Sequence, residues 1–327
     1  MASNIYYKID GNNIYYSNQA KVGYDLKEDN SKLSDGKNVI VKLNQNNQFI
    51  FPTGDGFPEN ASYLFYGATN TSFSNIDKWV VDSNSTTLRG LFQNCVNVTS
   101  LDLSGWDTSN VYDLTDMFNG CTNLSTLNTS TWNTSHVNSM ARMFKGCSSF
   151  EELFLNHFSV AGVETVANMF ENCTSAKLIS IKGWDFGSGV QKYVNVTSMF
   201  ENCTSLLCVN ANSTNFKNVN WADRVFYNCG ELRDVVVSEN TDWYSDLHPS
   251  MKNMFYGCIN IYNYDRTVNG ETKANDREGG YFKVGDVVPS YKTTVYEKAF
   301  GYWRKTEIYE KFSGNWINIE EVTSYNG

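Results

Sequence analysis

The sequence predicts an α/β solenoid of about eight turns, with one short strand and one short helix in every ~26 residues, flanked by small β-rich modules. Three observations predict it. A Phe-x-x-Cys unit recurs at Phe92/Cys95, Phe118/Cys121, Phe144/Cys147, Phe170/Cys173, Phe200/Cys203, Phe226/Cys229 and Phe255/Cys258, with successive Phe 26, 26, 26, 30, 26 and 29 residues apart. A copy with Ala in the Cys slot, Leu64-Phe65-Tyr66-Gly67-Ala68, precedes them. An apolar step of the form L-x-x-L-x-L follows the Cys, and apolar residues three apart lead into the next Phe.

The strand is predicted from the closing alternation of that step, which sends every second side chain inward. Its inward residues are Val98, Leu101 and Leu103, then Phe150, Leu153 and Leu155, then Ala176, Ile179 and Ile181. Leu206, Val209 and Ala211 continue the series, followed by Leu232, Val235 and Val237. The helix is predicted from Val111, Leu114 and Met117, from Val137, Met140 and Met143, and from Val163, Val166 and Met169. That spacing fits one apolar helical face. Asp107-Thr108-Ser109-Asn110 supplies oxygens for the first unpaired amides. Pro52, Pro58, Pro249 and Pro289 all fall outside residues 59 to 248, so a ladder can run through the stack unbroken. Eight turns at the usual strand spacing make a rod roughly 35–40 Å long.

The stretch Thr99-Ser100-Leu101-Asp102-Leu103-Ser104-Gly105-Trp106-Asp107-Thr108-Ser109-Asn110-Val111, followed by Met117-Phe118-Asn119-Gly120-Cys121, closely resembles the BspA-like leucine-rich repeats of bacterial surface proteins. The resemblance covers residues of roughly 60 to 265. It weakens after Cys173, where two turns lengthen and Trp184 is followed by Asp185-Phe186-Gly187. It implies a leucine-rich-repeat solenoid used for adhesion and binding rather than catalysis. No secretion signal or wall anchor of the kind typical members carry is visible in the sequence, which argues for an expected location other than the cell surface.

Residues 1–58 form an N-terminal module, read either as independent or as the cap of the first turn. Ile5 to Ile9 and Asn13 to Tyr16, joined through Gly11, predict a β-hairpin. Val39 to Leu43 and Gln48 to Phe51, joined by Asn44-Gln45-Asn46-Asn47, predict a second. Residues 266–280 are polar and Gly-bearing, as suits a linker after the repeats of 59–265. Within the C-terminal module, 281–327, Trp303 to Phe312 and Trp316 to Ile319 around Ser313-Gly314-Asn315 predict a third hairpin. Terminal β modules serve either as caps or as attachments to a larger assembly.

The hydrophobic content of 41% and charged content of 19% belong to a folded chain, and twenty Tyr, twenty Phe and only four Pro favour β structure. A net charge of −9 without a basic run argues against nucleic acid as partner. No apolar stretch of about 18 residues predicts membrane insertion. The N-terminus lacks a signal-peptide core, which predicts synthesis in the cytoplasm.

Seven of the eight cysteines hold one slot per repeat, so they are predicted to stack as buried, unbridged thiols; Ala68 in that slot fits packing and not a disulfide. Scattered His136, His157 and His248 predict no metal site, and no cofactor motif occurs. Cys208 lies on the outward phase and is predicted to be exposed or covered by another module. Nucleotide, zinc-protease and serine-hydrolase motifs are absent. Acidic pairs such as Glu151-Glu152 read as solvated faces, and the Asn-x-Ser/Thr sequons follow from Asn- and Thr-rich turns.

A solenoid binds through its outward strand face. The candidates are Asp102, Asn128, Phe154, Ser180, Asn210 and Val236 along its centre, with Glu152, Leu178, Cys208 and Asp234 beside them. Exposed apolar groups in Phe154, Leu178 and Val236 mark either a contact site or the seat of a flanking module. Together these readings predict a non-enzymatic structural or recognition protein, a bacteriophage tail- or head-associated virion component anchored by a terminal β module. Its partners would be other virion proteins or a host-surface protein or glycan, with homo-oligomerisation through a terminal module left open. The alternative is a secreted cell-surface adhesin; a hydrolase on a solenoid platform is a third class.

Overall fold

A computed structural model of the chain describes residues 5–17, 19–27, 32–42, 49–50, 61–81, 87–187, 193–238, 250–261, 282–284, 292–299, 302–312 and 315–318. The prolines and the proposed linker at 266–280 lie outside them. The repeats build a β-solenoid of about seven turns. Eight inward Phe rings, Phe65 to Phe255, stack one above the next; Phe118–Phe144 and Phe144–Phe170 have centroids 5.5 and 5.7 Å apart and planes within 10°.

The chain opens with β1 (Tyr6–Asp10) and β2 (Asn13–Ser17), the expected hairpin, flanked by β3 (Asp25–Leu26) on β1. β4 (Asn38–Lys42) corrects the second predicted hairpin. It runs parallel to β2, while β5 (Phe49–Ile50) pairs in parallel with β6 (Trp79–Val80) on the repeat side. Ile5, Ile14, Tyr16 and Val39 share one continuous core with the repeats, and Ser34 Oγ donates to the Leu64 and Tyr66 carbonyls. The N-terminal sheet is therefore a cap on the first turn.

The repeat strands are β7 (Ser100–Asp102), β8 (Thr126–Asn128), β9 (Glu152–Phe154), β10 (Leu178–Ser180), β12 (Cys208–Asn210) and β14 (Asp234–Val237). The shorter β11 (Val194–Asn195) and β13 (Val219–Trp221) interleave with them on a second side. β7 pairs with β8; β9, β10, β12, β14 and β15 (Phe282–Val284) form a parallel sheet of five. The last solenoid strand thus comes from the region read as the C-terminal module. β16 (Lys292–Ala299), β17 (Tyr302–Phe312) and β18 (Asn315–Asn318) form an antiparallel sheet whose β17–β18 pair is the third predicted hairpin.

The predicted helices are absent from the described residues, where the one helical element is a 3-10 turn at Ile76–Lys78. The segments are runs of tight turns. In the third copy, the Met117, Asn119 and Cys121 amides donate three residues back, to the Leu114, Asp116 and Phe118 carbonyls. The alternate amides of Leu114, Asp116, Phe118 and Gly120 donate to the next rung, to Ser139, Ala141, Met143 and Lys145. This arrangement turns an apolar residue inward about every third position, which is the spacing read as a helix. A left-handed residue on each side of every Phe enforces it. Tyr63, Gly90, Asp116, Arg142, Asn168, Ser198, Arg224 and Asn253 precede the ring by two positions, all with φ of 55–59°. Gly67, Asn94, Gly120, Gly146, Asn172, Asn202, Asn228 and Gly257 follow it by two, again at positive φ. An α-helix admits no such residue in its interior.

Ser198, at φ 55°, gives a sign test. In a helix Ala would be favoured over Gly by about 1 kcal/mol. In this left-handed position Ser198→Gly is expected to be the more stable variant, and Ser198→Ala the less stable, by on the order of 1 kcal/mol. Urea midpoints of the two decide it; Ala above Gly would restore the helix.

Candidate binding surface

The interior consumes most of the chemistry that the repeats carry. Each thiol of the repeated slot donates to the carbonyl of the Phe one turn back: Cys95 to Phe65 at 3.0 Å, Cys121 to Phe92 at 3.0 Å, Cys147 to Phe118 at 3.1 Å and Cys173 to Phe144 at 3.1 Å. Cys203, Cys229 and Cys258 repeat the contact on Phe170, Phe200 and Phe226. The same carbonyl accepts the amide of its own turn, as Phe118 does from Cys121. The slot thus selects a small apolar group that is also a weak donor. The indole N–H groups of Trp132 and Trp184 act likewise, donating to Leu103 and Leu155 carbonyls at 3.0 and 2.8 Å.

Burial pushes the Cys95 and Cys258 thiols up to about 12 and holds Cys121, Cys173 and Cys229 well above the ordinary range. Thiolate nucleophilicity is thereby suppressed. All eight cysteines are buried and none is disulfide-bonded. A chromogenic thiol reagent is expected to react with none of the eight in the native protein and with all of them in denaturant. Rapid labelling of even one thiol under native conditions would contradict the ladder. Among the described residues, no group of His, Cys, Asp or Glu is placed to hold a metal ion.

The outward face of the strands divides in two. On β7 and β8 it is polar and open. Asp102 is exposed, and its carboxylate accepts Ser104 Oγ–H at 2.7 Å and the Ser104 amide at 3.2 Å, which lower its pKa. Asn128 Oδ1 accepts the Ser130 amide in the same way. From β9 onward the face closes. Leu178, Cys208 and Val236 form a small second apolar cluster with Phe154 packed against it. Ser180 and Asn210 are buried beside them; Ser180 Oγ donates to Asn156 Oδ1 at 2.6 Å, and Asn210 Oδ1 accepts the Asn212 amide. Glu152 and Asp234 are half-buried.

Of the two expectations for Cys208, exposure is overturned: the thiol is fully buried, with Leu178 and Asp234 beside it in register and Val236 in the same apolar cluster. Leu178 and Val236 are likewise buried, which goes against an exposed contact site there and agrees with the alternative of a covered face. The division falls at the gap in the ladder between β8 and β9. There His157 Nε2–H donates to the Thr129 carbonyl at 2.9 Å, and burial lowers the imidazole pKa.

The turn edge carries surface that the strand pattern did not reveal. Asp116 takes Arg142 in a two-pronged contact, Nε to Oδ1 and Nη2 to Oδ2 both at 2.8 Å; Lys145 pairs with Glu171, and Arg224 with Glu201. Further along, Tyr227 and Tyr256 stack at 5.0 Å with Arg224 over Tyr227. Tyr193, just before β11, and Trp221, at the end of β13, stay 53% and 44% exposed. The available signal was the Tyr that follows the repeated Phe at Tyr66, Tyr227 and Tyr256.

These features define a parallel β-solenoid with a ring in every copy of the repeat, a thiol in all but the first, a covered N-terminal end and an outward face that is polar on β7 and β8 and closed beyond them. Over residues 59–184 and 155–267 the chain matches the family described as "Mycoplasma protein of unknown function, DUF285", and it belongs to that family. Comparison with curated proteins returns no match.

Proposed function

We propose that the protein is a non-enzymatic structural and recognition component, built of BspA-like leucine-rich repeats, that binds a protein or a surface glycan through the open strands β7 and β8. The carrying observation is the division of the outward face: Ser100, Asp102 and Thr126 are exposed, whereas Leu178, Ser180, Cys208 and Val236 are buried. The rung-to-rung hydrogen bonds hold those polar side chains in fixed register, a favourable starting point for binding. The N-terminal sheet shares its core with the first turn, so anchoring falls to the C-terminal sheet of β16, β17 and β18. The setting is a bacteriophage virion. Mass spectrometry of purified virions tests it, and a chain missing from particles but released by protease from intact cells sinks it.

That second outcome belongs to the other reading, a bacterial cell-surface adhesin, which the family's description as a Mycoplasma protein favours. Either way, Asp102→Lys with Thr126→Arg is expected to abolish binding to the target surface without changing the urea midpoint. Glycan hydrolysis by the purified protein would instead favour an enzyme.

A further inference from the structure

The four outward side chains of β7 and β8 form a two-by-two array, with Ser100 in register with Thr126 and Asp102 with Asn128. Ser100, Asp102 and Thr126 are exposed, and Asn128 is half-buried. The backbone beneath them is pinned: the Thr126 amide donates to the Thr99 carbonyl at 3.2 Å and the Leu103 amide to the Asn128 carbonyl at 2.9 Å. Asp102 is held as well. Ser104 occupies its Oδ1 through hydroxyl and amide, and the Asn128 side-chain amide reaches the same carboxylate from the next rung. A carboxylate has about four lone-pair sites, so acceptor capacity remains open to solvent. No hydrogen bond to the Ser100 or Thr126 hydroxyl is seen among the described residues. The array therefore offers one fixed carboxylate and two open hydroxyls, without a cation or an apolar group.

These groups select a ligand that donates hydrogen bonds and carries no negative charge. An ionised carboxylate only accepts, so its partner must bring the proton, and an anionic partner is repelled. A protein partner is disfavoured on other grounds. The cores of protein interfaces are apolar and rich in aromatic residues, with the energy concentrated in a few buried anchors. None of the four outward positions provides such a seat. One apolar group lies at the end of the centre line. Phe154, at the phase of Asp102 and Asn128 one rung on, is half-buried and packs against Leu178, Cys208 and Val236. The cluster fixes the ring while part of it stays open at the margin of the polar array.

Resting on the reading of β7 and β8 as the binding face, we propose that this face is a site for a neutral, hydroxyl-rich glycan. Asp102 accepts from a sugar hydroxyl, Ser100 and Thr126 exchange hydrogen bonds with its neighbours, and the C–H face of an adjoining sugar packs on Phe154. At the usual strand rise and spacing the array measures about 7 by 5 Å, room for one or two sugar rings. The site is shallow, so a single contact is weak, and useful binding comes from several copies of the chain presented together.

The test applies the full chain, in multivalent form, to an array of neutral glucose, galactose and mannose oligomers and of the matching uronic-acid oligomers. At least one neutral oligomer is expected to bind, and its uronic-acid counterpart to bind roughly tenfold more weakly or not at all. Asp102→Asn, which keeps the shape and removes the charge, should weaken neutral-glycan binding roughly tenfold with an unchanged urea midpoint. Thr126→Val, which removes one hydroxyl, should weaken it by a smaller factor. The proposal is overturned if no neutral oligomer binds, if the uronic acids bind equally well, or if Asp102→Asn is without effect. Peptides enriched from a displayed library, with binding lost in the Asp102→Lys, Thr126→Arg double variant, would overturn the glycan and leave the open face as the site. Neutral-glycan binding that survives the double variant would overturn both.

Discussion

Phe144→Ala is expected to lower the stability of the solenoid by about 3–5 kcal/mol, the usual cost of deleting a buried ring. Phe144 is fully buried, stacks on Phe118 and Phe170, and meets Phe150 edge-on at 6.2 Å. Removing it therefore interrupts a column as well as opening a cavity, and aromatic contacts of this kind add about 0.5–1.5 kcal/mol beyond burial. The backbone at this position is also fixed from both sides. The Phe144 amide donates to Met169, and the Phe144 carbonyl accepts both the Cys147 amide and the Cys173 thiol. The rung thus has little freedom to move into the void, which places the loss towards the upper end. Phe144→Leu keeps most of the volume and should cost about 1.5 kcal/mol or less. Urea titrations followed through Trp106, Trp132 and Trp184 measure both. A loss below about 1 kcal/mol for Phe144→Ala would mean that the ring is not part of a continuous stack.

The reason the ring column was legible while its surroundings were not lies in what each pattern encodes. Phe, Cys and the strand leucines recur at one phase, and a recurring phase in a solenoid can only mean a recurring direction. Phe118, Cys121, Leu101 and Leu103 are buried as that argument requires. Val111, Leu114 and Met117 also face inward, but their spacing of three belongs equally to a helix and to successive tight turns. The discriminating signal was local: Gly or Asn stands immediately before the Cys in every copy, where only a left-handed residue fits. Asn44-Gln45-Asn46-Asn47 misled for the opposite reason. Its turn-forming composition was read without the partners that draw β4 onto β2 and β5 onto β6. Alternation separates the two faces of a strand, but it is silent on what covers either of them. Asp102 and Cys208 both lie on the outward phase of their strands, one exposed and the other fully buried.

Deleting residues 119–144, one full period of 26, is expected to leave a folded and cooperative protein. The deletion joins Phe118 to Lys145 and continues as Gly146-Cys147, so each inward slot and each left-handed slot keeps its place. Phe170 becomes the neighbour of Phe118, and Cys173 meets a carbonyl in the position that Phe144 held. In a quasi-one-dimensional stack such a change removes one repeat and one interface and leaves the remaining interfaces as they were. Stability should fall by that increment, with circular dichroism per residue unchanged.

Deleting one residue more, 119–145, should prevent cooperative folding, because Gly146 then follows Phe118 directly and Cys147 stands two residues after the ring instead of three. The thiol loses its carbonyl, the left-handed slot falls on the wrong residue, and the alternate amides that reach the next rung exchange roles with those that close the turns. The chain's own longer periods keep the Phe-x-x-Cys spacing intact and lengthen elsewhere, as the 30 residues from Phe170 to Phe200 show. A folded, cooperative 119–145 deletion, or an unfolded 119–144 deletion, would refute the register on which the solenoid rests.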